Sequence, residues 1–409
     1  MPGFFFYMQV ILFDSDVRHN LLPFTHTRPV ADIRCGILTM RERWEKVLGM
    51  ATSTLTEDYL QAVFPVNASN DNLYINGAVY ATLALAKEVT SLKQGQKLVS
   101  GALLVAFRDA DIAFGDIHSA SNRMEAVTSK SDCTAISNPW DIFSQNDKAI
   151  KADYDFLTSG RESQPLPDNI TVSGNAIFLE EGASIGAGAI INTNSGPVYL
   201  GKDAEIMEGA IMRGPLAACE HSVIKMGAKV YGATTIGPGC KVGGEISNVV
   251  FFANSNKAHD GFLGNAVIGE WCNLGADTNC SNLKNNYDEI KAWNEHQNKS
   301  VKTGLTFCGL MMGDHSKAGI NTMFNTGTIV GVSCNVYGGG FPPTFIPSFS
   351  WGGTEGLTTY RLDRAMDTAN RMMGRRNKQL SDADKQMLQT IFDKTAAQRN
   401  VFAQTATDK

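Results

Sequence analysis

Apolar residues return every six positions in the second half of the chain, and Gly, Pro or another small residue falls between them. This interval fits neither the 3.6-residue period of a helix nor the two-residue alternation of a strand. The alternative, a Gly-rich β-sandwich, would not keep a six-residue interval through two long runs. The interval predicts a parallel β-helix with three short faces per coil. The inward positions are Ile206, Met212, Ala218, Ile224, Val230, Ile236 and Val242, and then Met312, Ala318, Phe324, Val330 and Val336.

Strand and helix patterns alternate before the repeats. Apolar alternation favours a strand, and apolar positions at helical spacing favour a helix. This order is typical of a mixed α/β domain. A segment with several Gly and Pro residues at 158–167 then suggests a linker. The predicted strands are residues 9–13, 72–75 and 102–107, and the predicted helices are residues 38–48 and 81–92.

Three zones follow from these patterns. Residues 1–165 are predicted to form the α/β domain, residues 166–340 the β-helix, and residues 341–409 an extended segment followed by a helical tail. The polar segment 283–303 is too hydrophilic for a coil, so we expect it to leave the β-helix as a loop. In the tail, one helical face is apolar, and a later capping box is expected. These residues are Leu362, Ala365, Met366, Ala369 and Met373 on the face, and Ser381 with Asp384 in the box.

Composition narrows the function classes. A net charge of -5 argues against a nucleic-acid-binding protein, since neutralising phosphates requires a basic surface. The cysteines form no CxxC pair, so no zinc site is expected, and Cys240, Cys272 and Cys334 occupy small positions of the repeat. No apolar stretch reaches the roughly 18 residues that cross a bilayer. The apolar start, residues 4–13, runs into Asp14 without a preceding basic region, so we interpret it as a strand and expect a cytoplasmic protein.

One histidine stands in an unusual context. The six-residue interval breaks around His259 and restarts at Ile268 and Leu274. An imidazole can take a proton from an attacking amine near neutral pH, and a β-helix corner is a rigid mount for it. The alternative is a plain surface residue at a corner.

The run 256–282 resembles the acetyltransferase half of the bifunctional N-acetylglucosamine-1-phosphate uridyltransferase/glucosamine-1-phosphate acetyltransferases. That resemblance implies a left-handed parallel β-helix that trimerises and uses acetyl-CoA as co-substrate. It implies that His259 is the general base, that Asn273 and Asn282 contact the substrate, and that Gly275 and Ala276 meet acetyl-CoA. The motifs are Lys257-Ala258-His259, Phe262-Leu263-Gly264, Ile268-Gly269, Asn273-Leu274-Gly275-Ala276 and Asn282.

The chain departs from the family's pattern at the acceptor. Phe262 stands where the family has a tyrosine, and Ser247 stands where it has a phosphate-binding lysine. The acceptor therefore need not be glucosamine 1-phosphate; another amino-sugar phosphate or a nucleotide amino sugar is open. Candidates for the phosphate, by position only, are Lys225, Lys229, Lys299 and Lys302. The basic cluster Arg371, Arg375, Arg376 and Lys378 is either a solvated helix end or a site for the phosphates of CoA.

The front domain carries a second resemblance, to sugar nucleotidyltransferases, in the runs NLLPFTHTRPV at 20–30 and PWDIF at 139–143. Such enzymes cradle a triphosphate on a glycine loop. Here that loop reads FDSDVR at 13–18, and Ala78 stands where the family has a magnesium-binding aspartate. Arg18, Arg28 and Arg34 remain as cations for a nucleotide-sugar phosphate or as structural ion pairs. We interpret the domain as a divergent or degenerate nucleotidyltransferase domain.

The sequence thus favours an acetyl-CoA-dependent N-acetyltransferase that acts on an amino sugar. Two other classes stay open. The first is a nucleotidyltransferase that joins a sugar 1-phosphate to UTP, which would need magnesium at the front domain. The second is a trimer that binds a nucleotide sugar without catalysis.

Overall fold

The computed structural model of the chain describes residues 8–400, which divide into two compact units. The first unit contains the described residues up to Leu21, with 27–33 and 38–138. The second contains 22–26, 34–37 and the described residues from Pro139 onward. Residues 4–7 of the predicted apolar start and residues 401–409 of the predicted tail lie outside the described residues.

The first unit is a mixed sheet with helices, in the strand order β2-β1-β3-β5-β4-β6. Strand β1 runs parallel to both neighbours, whereas β5 is antiparallel to β3 and β4. The strands are β1 (Gln9–Phe13), β2 (Ser53–Leu55), β3 (Asn72–Asn76), β4 (Gln96–Ser100), β5 (Leu103–Asp109) and β6 (Glu125–Thr128). The helices are α1 (Met40–Leu48), α2 (Asp58–Gln61), α3 (Leu83–Thr90) and α4 (Ile117–Asn122), with short 3-10 turns at Asp16–His19, Val30–Asp32 and Phe114–Asp116.

Local signals set these elements. Helix α1 begins after Thr39, whose side chain accepts from the backbone of Glu42 in a capping box, and ends at Gly49 in the left-handed conformation. Its Trp44 is fully buried and donates a 2.8 Å hydrogen bond to the carbonyl of Val79. The three strands and two helices that the sequence predicts here all form, within two or three residues of the predicted ends.

The second unit is a parallel β-solenoid of about ten coils, so the predicted fold class is confirmed. Its strands are β7 (Thr171–Ser173), β8 (Ile177–Leu179), β9 (Ser184–Ile185), β10 (Ile190–Asn192), β11 (Val198–Leu200), β12 (Glu205–Ile206), β13 (Ile211–Arg213), β14 (Leu216–Ala218), β15 (Val223–Ile224), β16 (Lys229–Tyr231), β17 (Thr234–Ile236), β18 (Lys241–Val242), β19 (Glu245–Phe251), β20 (Asn256–Lys257), β21 (Phe262–Ile268), β22 (Asn273–Leu274), β23 (Asn279–Cys280), β24 (Lys291–Asn294), β25 (Lys299–Lys302), β26 (Met311–Met312), β27 (Lys317–Ala318), β28 (Met323–Phe324), β29 (Ile329–Val330), β30 (Asn335–Val336), β31 (Phe345–Ile346), β32 (Ser350–Gly353) and β33 (Gly356–Thr359).

The solenoid core is a stack of inward side chains. All twelve apolar positions of the six-residue interval are buried. On one face, Ile206 pairs with Ile224, and Ile224 with Val242, on successive parallel strands. Stacking branched side chains removes apolar surface from water in every coil, which is why the interval predicts the fold so well.

The polar segment after β23 leaves the coil, as expected. It forms an antiparallel hairpin from β24 and β25, in which Lys291 pairs with Lys302, and the coil resumes at β26. Within the same unit, His26 Nε2 lies 3.0 Å from a carboxylate oxygen of Glu295 in this segment. The insertion is therefore an ordered part of the solenoid unit.

In the described part of the second unit, helices come both before and after the solenoid, together with a 3-10 turn at Phe24–His26. Helices α5 (Pro139–Ser144) and α6 (Asn146–Thr158) precede the solenoid, and α7 (Leu362–Gly374) and α8 (Asp382–Lys394) follow it. The capping box of Ser381 and Asp384 forms at the start of α8. Phe392 of α8 packs edge-on against Phe349 of the last coil, so the tail covers apolar surface at that end.

Candidate functional site

A groove of about 740 Å³ runs between one face of the solenoid and helix α7. Strands β18, β20, β22 and β27 supply its floor, and the second half of α7 with the two residues after it supplies one wall. The lining residues are Lys241, Asn256, Ala258, His259, Asn273, Leu274, Gly275, Ala276, Lys317, Ile320, Thr368, Arg371, Met372, Arg375 and Arg376. Seven candidate residues named from the sequence lie in it together, namely His259, Asn273, Gly275, Ala276, Arg371, Arg375 and Arg376.

The floor of the groove is a column of outward side chains in register. Lys241 pairs with Asn256, Asn256 with Asn273, and Asn273 with Lys317 on neighbouring parallel strands. Strands in a sheet lie about 4.8 Å apart. The column therefore presents two neighbouring amide groups, with a lysine on each side of them, at a fixed spacing along the solenoid.

His259 projects from the corner that follows β20. Its side chain is exposed, and no hydrogen bond or ion pair of the imidazole is found within residues 8–400. This corner packs closely on the coil below it because that coil has a glycine at position 243. A Cβ on Gly243 would lie 2.6 Å from the carbonyl oxygen of Ala258. The imidazole is thus mounted on a close-packed backbone with its nitrogens available to a ligand.

The turn after β22 brings backbone to the groove. Gly275 donates its N-H to the carbonyl of Ala318 at 3.0 Å, and a Cβ at this position would lie 2.6 Å from backbone atoms of Gly319 and Ile320. Only glycine allows this approach. No hydrogen bond from the N-H of Ala276 is found among the described residues, so this amide can serve a ligand in the groove.

Helix α7 brings positive charge to the wall. Arg376 is half-buried and donates from Nη1 to Oδ1 of Asn254 at 2.9 Å, and its guanidinium lies 5.9 Å from the ring centre of Trp271. Burial lowers the pKa of Arg376. Arg371 and Arg375 are exposed at the groove. Arg376 therefore fastens the helix, while the other two arginines face an incoming anion.

An adjoining pocket of about 400 Å³ shares Thr368 and Arg371 with the groove. Its end is aromatic: the rings of Trp351 and Tyr360 have centroids 4.8 Å apart. Trp351 Nε1 donates to the hydroxyl of Tyr337 at 2.8 Å, which fixes the indole. The pocket is also lined by Arg361 and Arg364, so it combines flat apolar surface with cations.

Comparisons with known proteins agree with both halves of this architecture. Residues 10–162 match the family model for sugar nucleotidyl transferase. A bifunctional sugar-1-phosphate nucleotidylyltransferase/acetyltransferase from Sulfurisphaera tokodaii is 24% identical over 322 residues, which are 75% of this chain and 69% of that protein. The chain thus carries a sugar nucleotidyl transferase family domain and is distantly similar to bifunctional nucleotidylyltransferase/acetyltransferase proteins.

Two further relatives match smaller parts of the chain. The bifunctional protein GlmU of Methanococcus maripaludis is 29% identical over 196 residues, 48% of this chain and 41% of that protein. An uncharacterized acetyltransferase of Escherichia coli, YaiX, is 27% identical over 174 residues, 41% of this chain and 75% of that protein. The chain thus spans less than half of the GlmU relative's length.

Five predicted residues of this transferase lie outside the groove. Asn282 donates from Nδ2 to Oδ1 of Asn265 at 2.8 Å, in the region of Phe262. Lys229 lies 4.0 Å from Glu245 and Lys302 lies 3.2 Å from Glu289, each in an exposed ion pair. The other two are Lys225, half-buried on the coil below the His259 corner, and Arg28, buried in the first unit.

The nucleotidyltransferase domain has an acidic residue in its expected phosphate loop. The carboxylate of Asp14 is buried and accepts from the N-H of Val30 at 2.8 Å, from Thr56 Oγ1 at 2.6 Å and from Arg18 Nε at 3.1 Å. Burial raises the pKa of Asp14, and the charge of Arg18 opposes this. Arg18 also pairs with Glu57. Arg18 and the Val30 amide, groups suited to holding a phosphate, are therefore already bonded to the chain's own carboxylates.

Two further positions of the predicted nucleotide site, Ala78 and Arg34, also bond to groups of the chain itself. Ala78 is buried after β3, and its N-H donates to Oδ1 of Asn76 at 3.0 Å. Arg34, in the second unit, donates to the carbonyl of Ile37.

Among the described residues, no three His, Cys, Asp or Glu side chains converge as a metal site would require. No helix within residues 8–400 is long and apolar enough to cross a membrane.

Sequence reasoning missed several lining residues of the groove. Lys241 and Lys317 reach it because they share the outward register of Asn256 and Asn273. That register could have been counted along the first run, from Glu205 through Val223 to Lys241. It could not be carried across the insertion before Lys317, whose length hides the phase of the next coil.

Proposed function

We propose that this transferase is an acetyl-CoA-dependent N-acetyltransferase whose acceptor is an amino-sugar phosphate or a nucleotide amino sugar. His259 is the general base, Asn273 orients the acceptor, and Gly275 and Ala276 line the path of the acetyl group. The observation that carries the proposal is the single groove that collects these residues beside Arg371 and other tail cations. Similarity to proteins named as acetyltransferases supports the same reaction class.

The reaction needs no redox step. His259 takes a proton from the neutral amine of the acceptor as its nitrogen attacks the carbonyl carbon of the thioester. The N-C bond forms and the carbonyl oxygen becomes an oxyanion, toward which the N-H of Ala276 can donate. The C-S bond then breaks, and the imidazolium of His259 returns a proton to the departing thiolate. The products are an acetamido sugar and CoA.

The length of the groove suits an extended CoA molecule. From Asn256 the outward column continues through Asn273, Lys317 and Asn335 to Trp351. Four strand spacings give about 19 Å between the His259 end and the aromatic end. We therefore orient the acetyl group toward His259 and the adenine toward Trp351.

The charges along this path support the same orientation. Arg361 and Arg364 line the pocket at the aromatic end, and Arg371 lies where the two cavities join. The diphosphate and the 3′-phosphate of CoA are anions that guanidinium groups bind in bidentate fashion. Adenine stacks on exposed aromatic faces regardless of hydrogen-bond pattern.

The acceptor enters at the His259 end. Its amine must reach the imidazole, and Asn273 on the neighbouring coil offers an amide to its hydroxyl groups. The groove itself holds two ammonium groups, Lys241 and Lys317, whereas Lys225, Lys229 and Lys302 stand elsewhere. We infer that a second copy of the chain, in a homotrimer, closes the acceptor side and can bring one of these lysines or Asn282 to it.

The proposal is tested by thiol release from acetyl-CoA with a panel of amino-sugar phosphates and nucleotide amino sugars. Wild type should release thiol with at least one acceptor, and His259→Ala should lose at least about 100-fold in kcat. His221→Asn is the matched control, since His221 is exposed on another corner, 3.6 Å from Asp203. Equal rates in wild type and His259→Ala, or no release with any acceptor, would refute the proposal.

A second candidate activity is sugar-1-phosphate nucleotidyl transfer with UTP and magnesium in the front domain. The family match over residues 10–162 and the name of the Sulfurisphaera relative favour it. The bonding of Asp14 and the alanine at position 78 speak against it. Formation of a UDP-sugar by wild type, lost in Arg28→Ala, would establish it.

A further inference from the structure

A lysine occupies a core position of the solenoid, directly before the His259 corner. Lys257 pairs with Val242 on the preceding coil and is 0% exposed. The same inward position is apolar on the coils that stack on either side, with Val242 and Leu274. Burying an ammonium among aliphatic side chains is costly unless hydrogen bonds replace its water. Packing alone therefore does not explain a lysine at position 257.

The ammonium group of Lys257 is held by three backbone carbonyls. Its Nζ atom donates to the carbonyl of His259 at 2.8 Å, to that of Asp260 at 3.0 Å and to that of Gly243 at 3.4 Å. A protonated lysine has three N-H donors, and a neutral one has two. The charged form therefore matches the three acceptors one for one.

The carbonyls of His259 and Asp260 belong to a tightly packed turn. Gly261 has φ +108°, and a Cβ there would lie 2.3 Å from the carbonyl oxygen of Thr278. A Cβ on Gly244 would lie 2.9 Å from the carbonyl oxygen of His259. Neighbouring coils thus restrict the turn from outside, while Lys257 holds it from the core. A shift of the His259 carbonyl would carry the adjoining side chain with it.

We propose that Lys257 is a positioning residue, whose buried ammonium fixes the carbonyls of His259 and Asp260 and so sets where the imidazole stands in the groove. This inference rests on the proposed role of His259 in acetyl transfer. Lys257 acts through the backbone and takes no part in the bond changes. Its effect is to keep the base within reach of the acceptor amine.

The protonation of Lys257 should then govern the activity at alkaline pH. Burial lowers its pKa from 10.5 to about 8, and the carboxylates of Asp260 and Asp277 oppose this. Below about pH 8 the three bonds are complete. Above it one donor is lost and a nitrogen lone pair faces a carbonyl, so the turn loosens and kcat should fall.

Stability should move the other way over the same range. Between pH 8 and 10.5 the unfolded chain holds the proton that folded Lys257 has released. The unfolded state binds more protons there, so the contribution of this lysine to stability rises with pH. A loss of activity caused by general unfolding would not show this opposition.

The test compares Lys257→Met with Val242→Ala in the full chain. Methionine fills the same narrow space without a donor, whereas Val242→Ala loosens the neighbouring core position and leaves the three bonds intact. We expect Lys257→Met to lower kcat by about 10- to 100-fold with a nearly unchanged KM for acetyl-CoA, and to lack the fall above pH 8. Val242→Ala should lower the Tm and keep the pH profile of wild type.

Amide hydrogen exchange at residues 258–261 gives a readout that does not depend on catalysis. Exchange there should accelerate in Lys257→Met, and in wild type when the pH is raised past 8 after correction for intrinsic rates. Unchanged exchange in wild type across this range would overturn the inference, even if the variant fails to fold. An inactive wild type with the expected exchange would refute the proposed function alone. An active wild type whose kcat and pH profile survive Lys257→Met would refute the positioning role alone.

Discussion

Arg376, just beyond the end of helix α7, donates a 2.9 Å hydrogen bond from Nη1 to Oδ1 of Asn254 on the solenoid. The same guanidinium lies 5.9 Å from the ring centre of Trp271. These contacts hold one wall of the groove against its floor. The site therefore depends on the tail as much as on the repeats.

Replacing Arg376 by methionine should loosen that wall. A hydrogen bond to a charged group contributes about 1.5–3 kcal/mol, and about 1.4 kcal/mol corresponds to a tenfold change in affinity. The KM for acetyl-CoA should therefore rise about tenfold or more, as initial rates at varied acetyl-CoA would show. Lys385→Met is the control, because Lys385 makes only an exposed ion pair with Asp382 on α8. A KM equal to that of wild type would mean that α7 stays docked without Arg376.

Gly275→Ala should disturb the backbone that faces the acetyl group. The added Cβ would lie 2.6 Å from backbone atoms of the coil above, so two coils must separate. Overpacking of this kind costs about 1–3 kcal/mol, measurable by urea unfolding. Gly339→Ala is the matched control, since a Cβ there meets nothing within 4 Å. Equal losses in the two variants would argue against a special role for the Gly275 position.

Trp351→Ala should weaken the binding of CoA more than the binding of acetyl-pantetheine, which lacks the adenine. Stacking of a base on an aromatic ring contributes about 1–3 kcal/mol. Calorimetric titration with CoA should then give a Kd at least about fivefold higher, with little change for acetyl-pantetheine. Phe307→Ala, which removes an exposed ring elsewhere on the unit, should bind CoA as wild type does. Equal weakening for both ligands would place the adenine away from Trp351.

Asp14→Asn should destabilise the first unit and spare acetyl transfer. Arg18 would keep its charge with one buried partner fewer, and breaking such a pair costs about 3–5 kcal/mol. Hydrogen exchange in β1 and β3 should rise, while thiol release stays at the wild-type rate. Asp58→Asn, at an exposed position of α2, should alter neither. Protection in β1 that matches wild type would show that Asp14 does not hold this loop.

The six-residue interval predicts the solenoid because the inward positions of both runs, from Ile206 to Val242 and from Met312 to Val336, are filled by apolar side chains. The predicted β1 also matches the observed Gln9–Phe13. Helices α5 and α6 were not predicted, since their buried faces are short and carry polar residues such as Asn146 and Asp153. Local pattern alone gives no reason to bury those two side chains; their contacts within the second unit do.

Site residues that belong to a sequence motif were predictable. Site residues that join the groove only through the stacking register of the coils were not. His259, Asn273 and Ala276 follow from the resemblance and lie together in the groove. Lys257 escaped notice as a core residue because the interval breaks at its coil, so its inward position is visible only from the pairing with Val242. Trp351 and Lys317 join the site through stacking of distant coils, which no local pattern records.

Acetyl transfer by His259 is tested most directly by following the acetyl carbon itself. Acetyl-CoA labelled with ¹³C at the carbonyl is mixed with the accepted amino sugar and either wild type or His259→Ala, and the products are read by NMR. We expect a labelled acetamido sugar with wild type, formed at least about 100-fold more slowly by the variant, which keeps its fold and assembly. Labelled free acetate alone, no labelled product, or equal rates in the two proteins would contradict it.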